Sequence, residues 1–193
     1  MNISDRSNLK FEEKVRKNFT FLKDLGFSEV EALPTLMRYR NDDIEVDVYH
    51  GRQSYEIGAG VTAFGNRYEL SEIIRVSDAE VAKQFRRFSS TTPGGLAQGL
   101  EKLSALMNHY ARAALGGDQQ FFSVLEKQRK LWSEEFALDV LAKKLRPQAN
   151  EAFRHGDYST AADLYSRILD RLSPAEIEKM NFAIRKSESS ITR

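Results

Sequence analysis

The stretch Met37-Arg38-Tyr39-Arg40-Asn41-Asp42-Asp43-Ile44-Glu45-Val46-Asp47-Val48-Tyr49-His50-Gly51-Arg52-Gln53-Ser54-Tyr55-Glu56-Ile57-Gly58-Ala59-Gly60-Val61 alternates oily and polar side chains. Met37 and Tyr39 alternate with Arg38 and Arg40, and Ile44, Val46 and Val48 with Glu45 and Asp47. Tyr55, Ile57, Ala59 and Val61 alternate with Ser54, Glu56 and Gly58. Successive side chains of a strand point to opposite faces, so a period of two marks strands with one face buried. A turn at Asn41-Asp42 sets Tyr39 opposite Ile44, Arg38 opposite Glu45 and Met37 opposite Val46. A turn at Gly51-Arg52 sets Val48 opposite Tyr55, Val46 opposite Ile57 and Ile44 opposite Ala59. Gly65-Asn66 supplies a third turn, with Ala63 facing Tyr68 and Val61 facing Leu70. Apolar meets apolar in each hairpin, which predicts a meander of three or four antiparallel strands with one oily and one polar face.

On either side of this stretch the period becomes helical. Phe11, Val15, Phe19 and Leu22 share one stripe of a helix over residues 9–25, with Gly26 placed for a left-handed cap. Ser77-Asp78-Ala79-Glu80 reads as a capping box opening a helix that runs to about Phe88. Thr92-Pro93 starts another, striped by Leu96, Leu100, Leu103, Met107, Tyr110 and Ala114. Gly116-Gly117 ends it and Asp118 caps a long helix carrying Phe122, Leu125, Trp132, Phe136 and Val140, a stripe that predicts core packing for Trp132. Pro147 is expected to interrupt that helix. Shorter helices follow, divided by Gly156-Asp157 and by the capping box Ser173-Pro174-Ala175-Glu176. The fold class predicted is α+β: helix plus meander over 1–76, a helical region over 77–188, and a frayed tail over 189–193.

Composition narrows the function classes. The 193 residues hold 41% apolar and 30% charged side chains, with 12 Phe, 7 Tyr and 1 Trp, which fits a packed globular protein. The chain has no cysteine, which excludes disulfides, zinc–thiolate sites and thiol chemistry. The polar opening Met1-Asn2-Ile3-Ser4-Asp5-Arg6 does not read as a signal peptide, and no run approaches the about 18 apolar residues a membrane span needs. A cytoplasmic location without membrane association is the expectation. A net charge of +1 gives no general attraction to nucleic acid. The basic clusters Lys83/Arg86/Arg87 and Lys143/Lys144/Arg146 are interleaved with apolar positions at helical spacing, as solvated helix faces are.

Two resemblances come with particular residues. Ala149, Ala152-Phe153, Gly156-Asp157-Tyr158, Ala161, Tyr165, Ile168-Leu169 and Pro174 resemble one tetratricopeptide repeat over residues 145–174. Small Ala149 and Ala161 let two helices approach, Gly156 allows the turn, and Tyr165 fills the groove. Pro147 and the late Pro174 depart from the pattern, and one repeat is short of the about three that stand alone. The resemblance implies a helical hairpin that presents a surface to a peptide or protein. Arg38-Tyr39, Glu45-Val46-Asp47-Val48-Tyr49, Arg52-Gln53-Ser54-Tyr55-Glu56-Ile57-Gly58 and Ser90-Thr91-Thr92-Pro93-Gly94-Gly95-Leu96 resemble a group of bacterial proteins with a helix, a meander and a helical tail. That likeness brings no established activity. Small proteins of this build include immunity partners of toxins, an analogy at the level of fold.

Candidate chemistry is sparse. Gly58-Ala59-Gly60-Val61 has the glycine spacing of a dinucleotide loop, but β-branched Val61 and Thr62 continue a strand where that motif needs a helix to open. Ser89-Ser90-Thr91-Thr92-Pro93-Gly94-Gly95 leads into a helix N-terminus, where free N–H groups could receive a phosphate or carboxylate, without a P-loop lysine. On the polar sheet face the expected register puts Asp47 opposite Glu56, a like-charge pair open to neutralisation by a cation or a basic partner. His50, in a predicted turn, His109 and His155 are too far apart in sequence to form a ligand set by spacing. The leading expectation is a non-catalytic protein-interaction module, with a bacterial immunity or adaptor role as its concrete form and another protein or peptide as partner. Its expected contact residues are Arg38, Glu45, Asp47, Arg52, Glu56, Thr91, Thr92, Gly94 and Gly95. No catalytic residue, metal or cofactor is assigned. The alternative is a metal-dependent hydrolase or nuclease using Asp47 and Glu56.

Overall fold

A computed structural model of the chain describes residues 6–191; the polar opening at 1–5 and the last two positions lie outside the described residues. The fold is α+β. Among the described residues, strands β1 (Ser28–Leu33), β2 (Leu36–Asn41), β3 (Ile44–His50), β4 (Glu56–Ala63) and β5 (Asn66–Glu69) pair in sequence order, all antiparallel. A short strand β6 (Phe88–Ser89) pairs with the start of β4. β5 and β6 therefore lie end to end along the same edge of β4.

The meander is present, with different partners from those expected. Tyr39 faces Val46 rather than Ile44, which moves the turn to Asp42-Asp43. Val48 faces Ala59 rather than Tyr55, and Val61 faces Tyr68 rather than Leu70. Each slip is by an even number of residues, so the residues that pair keep the face assigned to them, while Ser54 and Tyr55 fall in a turn and Leu70 in the helix that follows. Asp42 takes φ +49° in the first turn, a left-handed conformation that aspartate tolerates. The second turn is longer than two residues. Gly51 donates to the Glu56 carbonyl at 2.7 Å, Tyr55 takes φ +54°, and Arg6 donates to the Gly51 carbonyl at 3.1 Å. β1 was not legible as a strand. Its pairing with β2 shifts between Glu29 and Glu31, which breaks the alternation, and it forms an exposed, charged edge of the kind that discourages further pairing.

The first helical stripe forms as read, but in two pieces: α1 (Phe11–Asn18) and α2 (Phe21–Asp24), broken where the Phe19 amide caps back to Val15. Phe11, Val15, Phe19 and Leu22 are all buried, and Gly26 has the left-handed φ of +85°. Downstream, α3 (Leu70–Ser77) starts earlier than expected. Glu69 and Glu72 form its capping box, Glu72 accepting from the Glu69 amide at 2.8 Å. Asp78, not Ser77, caps α4 (Ala79–Gln84), accepting from the Glu80 and Val81 amides at 3.1 and 3.0 Å. That helix stops at Gln84, so Phe88 lies in β6 instead of a helix. α5 (Pro93–Tyr110) follows its Thr92 cap as predicted, then α6 (Arg112–Leu115).

Contacts divide the chain into two compact units, Met1–Gln128 and Arg129–Arg193. The division falls well after the helical stretch begins at Leu70 because α5 belongs with the sheet. Its Leu96, Leu100, Leu103 and Met107 join Phe11, Val15, Phe19 and Leu22 over the oily face made by Met37, Tyr39, Val46, Val48, Ala59 and Val61. At about 25 cal/mol per Å² of apolar area removed from water, this shared layer dominates the first unit's stability.

In the second unit, the later part of α7 (Gln119–Arg154) packs with α8 (Tyr158–Ser166) and α9 (Pro174–Ile191) through Ala149, Ala161, Tyr165, Met180 and Ala183. α7 runs through Pro147, contrary to the expected interruption. Proline in a helix loses one backbone bond, and here the buried Leu145 and Ala149 on either side hold the helix together. The Ser173–Glu176 box closes as read, Glu176 accepting from the Ser173 amide at 2.8 Å. Residues 189–191 continue α9, where a frayed end was expected.

Candidate functional site

The polar face of the sheet carries the chemistry the sequence pointed to, in a different arrangement. Asp47 is not opposite Glu56: it faces Gly60, and Glu56 faces Ser89. The side-by-side carboxylates needed by the metal-dependent reading are therefore not formed. Arg67 of β5 reaches across β4 and meets Asp47 with a two-pronged pair, Nε to Oδ1 at 2.7 Å and Nη2 to Oδ2 at 2.6 Å. Its Nη1 donates to Glu69 at 2.6 Å. Two acidic partners hold the Arg67 guanidinium more firmly protonated than an ordinary arginine, the hydrogen bond to Asp47 contributing most.

The glycines of β4 explain this reach. A Cβ on Gly60 would lie 2.7 Å from the Arg67 guanidinium carbon, and one on Gly58 would lie 2.3 Å from the Tyr49 ring. Bare backbone at both positions lets a guanidinium and a phenol lie flat on the strand. The glycine spacing that mimics a dinucleotide motif is thus part of a strand and serves close side-chain approach. Tyr49 donates to Glu56 at 3.2 Å, and burial, then the Glu69 and Glu56 charges, pushes its phenol up. Arg87 adds an ion pair to Glu56 at 3.3 Å.

Toward the other edge the charges alternate across the strands. Arg38 pairs with Glu31 at 2.8 Å and with Glu45 at 3.5 Å, and Arg40 pairs with Glu45 at 2.7 Å. Arg38, Glu45, Asp47 and Glu56 are thus each neutralised within the chain. Among the described residues no group of three or more His, Asp or Glu side chains could hold a metal ion, and no helix is long and apolar enough to cross a membrane.

The remaining expected contact residues gather at one end of the sheet. Arg52 lies in the turn after β3, and the backbone brings Glu56 beside Ser89 and the Tyr55 carbonyl onto the Ser90 amide at 3.0 Å. Thr92 caps α5, its Oγ1 accepting from Gly95 at 3.2 Å, and Ser90 Oγ accepts from the Thr92 amide at 3.1 Å. A Cβ on Gly95 would strike Ser90, whereas Gly94 faces open space and Thr91 is exposed. The helix start is served by its own hydroxyls.

His50 is the group here that sequence reading misplaced. It ends β3 and is buried, not exposed in a turn. Its Nε2 lies 2.9 Å from the Ser90 carbonyl, which it serves as a donor, leaving Nδ1 as acceptor toward Arg6 Nη1 at 3.4 Å. The ring lies between Phe11 and Tyr55. Burial lowers its pKa, the bond to Ser90 opposes that, and the Arg6 charge adds to the lowering. A histidine with a folded pKa below the ordinary ~6.5 takes up its proton more readily when unfolded. Its contribution is complete above that value and is lost as pH falls from there through the folded pKa. We expect the unfolding free energy from urea titrations to drop between pH 7.5 and 5.5, by at most about 1.4 kcal/mol per pH unit. His50→Gln should flatten that slope, and an unchanged slope in the variant would assign it elsewhere.

The second unit exposes what the first conceals. Phe136 is 69% exposed and Val140 52%, one helical turn apart on α7, and Trp132, a turn earlier, is only half-buried. The expected core role holds for Phe122 and Leu125 at the start of the stripe, which are buried, and fails for Phe136 and Val140. Periodicity tells which side chains share a face, not whether anything lies against it. No known protein family, curated protein or solved structure matches this chain.

Proposed function

We propose that this chain is a non-catalytic partner-binding protein, with a bacterial immunity or adaptor role as the concrete form. The observation that carries the reading is the exposed stripe of Phe136 and Val140 on α7, with Leu131 also open on the same stretch of helix. Burying a Phe side chain gains roughly 1.5–3 kcal/mol over leaving it in water, and exposed apolar helix faces are what partner helices and grooves cover. The same unit adds an aromatic group, Phe153 and Tyr158 of the repeat-like hairpin with Phe182 of α9, rings 5.5 to 5.8 Å apart and Lys179 over Phe153. The expected contacts Arg38, Glu45, Asp47 and Glu56 already have partners in the chain and carry none of this reading. Arg52, Thr91 and Gly94 remain open for contact.

Phe136→Asp combined with Val140→Asp should leave the thermal midpoint within a few degrees of the parent, because surface substitutions away from packed groups move stability by about 0.5 kcal/mol or less. The same pair should remove a stoichiometric partner that the parent chain retains from a lysate of its native host. A partner held equally by both proteins would place the contact elsewhere. A parent that retains none would end the reading.

A further inference from the structure

In the first unit, three turns meet around an open cleft of about 380 Å³. They are Asp42-Asp43 between β2 and β3, Phe64-Gly65 between β4 and β5, and Gly116-Gly117 between α6 and α7. Its volume lies within the range of small-ligand sites, roughly 300–1,000 Å³. Buried Ile44 and Leu115 form an apolar floor. Phe64 lines one side, 54% exposed and braced edge-on against Phe122 at 5.6 Å.

The charges at the rim select the ligand. Asp42 and Asp43 have no hydrogen bond or ion pair with any described residue, unlike the carboxylates of the sheet face. Arg112, the cation among the lining residues, is bound through Nε to the Asn108 carbonyl at 2.8 Å and pairs with neither aspartate. Two unpaired carboxylates against one guanidinium leave the rim acidic, above an oily floor and beside an open aromatic ring. An aliphatic stem fits the floor, and a positive head fits both the carboxylates and the ring face.

We propose that this cleft binds an alkyl cation: an ammonium or guanidinium on an aliphatic stem, carried by a peptide's Lys or Arg or by a free polyamine. The site goes beyond the partner-binding reading and does not rest on it, since that reading is carried by residues of the second unit. Solvent-exposed ion pairs are individually weak, so a single cation should bind weakly, and salt should weaken it further.

The test is a ¹⁵N amide titration of the full chain at low salt with N-acetyl-arginine amide, with spermidine, and with neutral N-acetyl-glutamine amide. Saturable shifts at Asp42, Asp43, Gly65 and Gly117 are expected with the cations and not with the neutral control. Asp42→Asn with Asp43→Asn should weaken the cation about tenfold. Asparagine accepts the left-handed φ at position 42, so the turn survives the exchange, and the amide spectrum away from the cleft checks that. Phe64→Leu should weaken it severalfold. Tighter binding of the blocked arginine would support a peptide source, and tighter binding of spermidine a polyamine. No saturable shift with either, shifts equal to those of the neutral control, or binding unchanged in the double variant would overturn the proposal, whatever happens to partner binding through Phe136.

Discussion

Asp47→Ala is expected to lower the stability of the first unit by about 3 kcal/mol. Asp47 is 6% exposed and carries both prongs of Arg67. Removing it takes the two-pronged carboxylate from a guanidinium lying over β4, leaving Glu69 on Nη1 and the Tyr49 ring beside it. Breaking a buried pair by deleting one partner costs roughly 3–5 kcal/mol. The low end applies, because the Arg67 side chain keeps 37% of its surface in water. Arg67→Ala strands the more buried member and should cost at least as much. The double variant should cost clearly less than the two singles added, since neither charge is then left alone. Gly60→Ala offers an independent route to the same loss. Its new methyl would lie 2.7 Å from the guanidinium, so Arg67 must swing away and release Asp47. In the Asp47→Ala, Arg67→Ala background that glycine substitution should become nearly neutral. Urea unfolding of the set, followed by circular dichroism, provides the comparison. Strict additivity would mean that Asp47 and Arg67 act separately.

The Asp47–Arg67 pair is not legible in the sequence, for a specific reason. The alternation from Met37 to Val61 shows which side chains share the polar face, and this part of the reading holds for the residues that pair in the strands, while Ser54 and Tyr55 fall in a turn. It does not show which of them are neighbours, because any even slip keeps the faces while exchanging the partners. The true register depends on turn geometry. Asp42 at φ +49° closes the first hairpin, and Arg6 bonding to the carbonyls of the second turn belongs to a distant part of the chain. Arg67 comes from beyond the decisive stretch and owes its reach to Gly60, one of the two glycines whose spacing resembles a loop motif. Helices were legible wherever a cap stood beside a stripe, as with Thr92 and α5 or Ser173 and α9. They were misjudged where tertiary packing overrides local preference, as at Pro147. Phe136 and Val140 show the remaining gap: a stripe of oily side chains looks alike whether it faces a core or water.

Tyr165→Ala should cost the second unit about 4 kcal/mol. Tyr165 is fully buried between helices whose facing positions are Ala149, Ala161 and Ala183. Those small residues bring the backbones close and leave the tyrosine ring to fill the space between them. Alanines have no further side chain to move into a void, so the cavity left by removing the ring would close little, and large-to-small losses are greatest where collapse is least. The hydroxyl is a minor contributor by comparison. It donates to Asn150 Oδ1 at 2.9 Å, but Lys179 also donates to that oxygen at 3.2 Å. Tyr165→Phe therefore leaves no acceptor stranded and should cost only about 1 kcal/mol. Trp132 lies in this unit and is the only tryptophan, so its fluorescence can follow the urea transition, with amide exchange along α8 as a second readout. A Tyr165→Ala loss no larger than that of Tyr165→Phe would mean the ring is not the filler. The approach of α7, α8 and α9 would then be set by the alanines alone, and the likeness to a repeat hairpin would lose its physical basis.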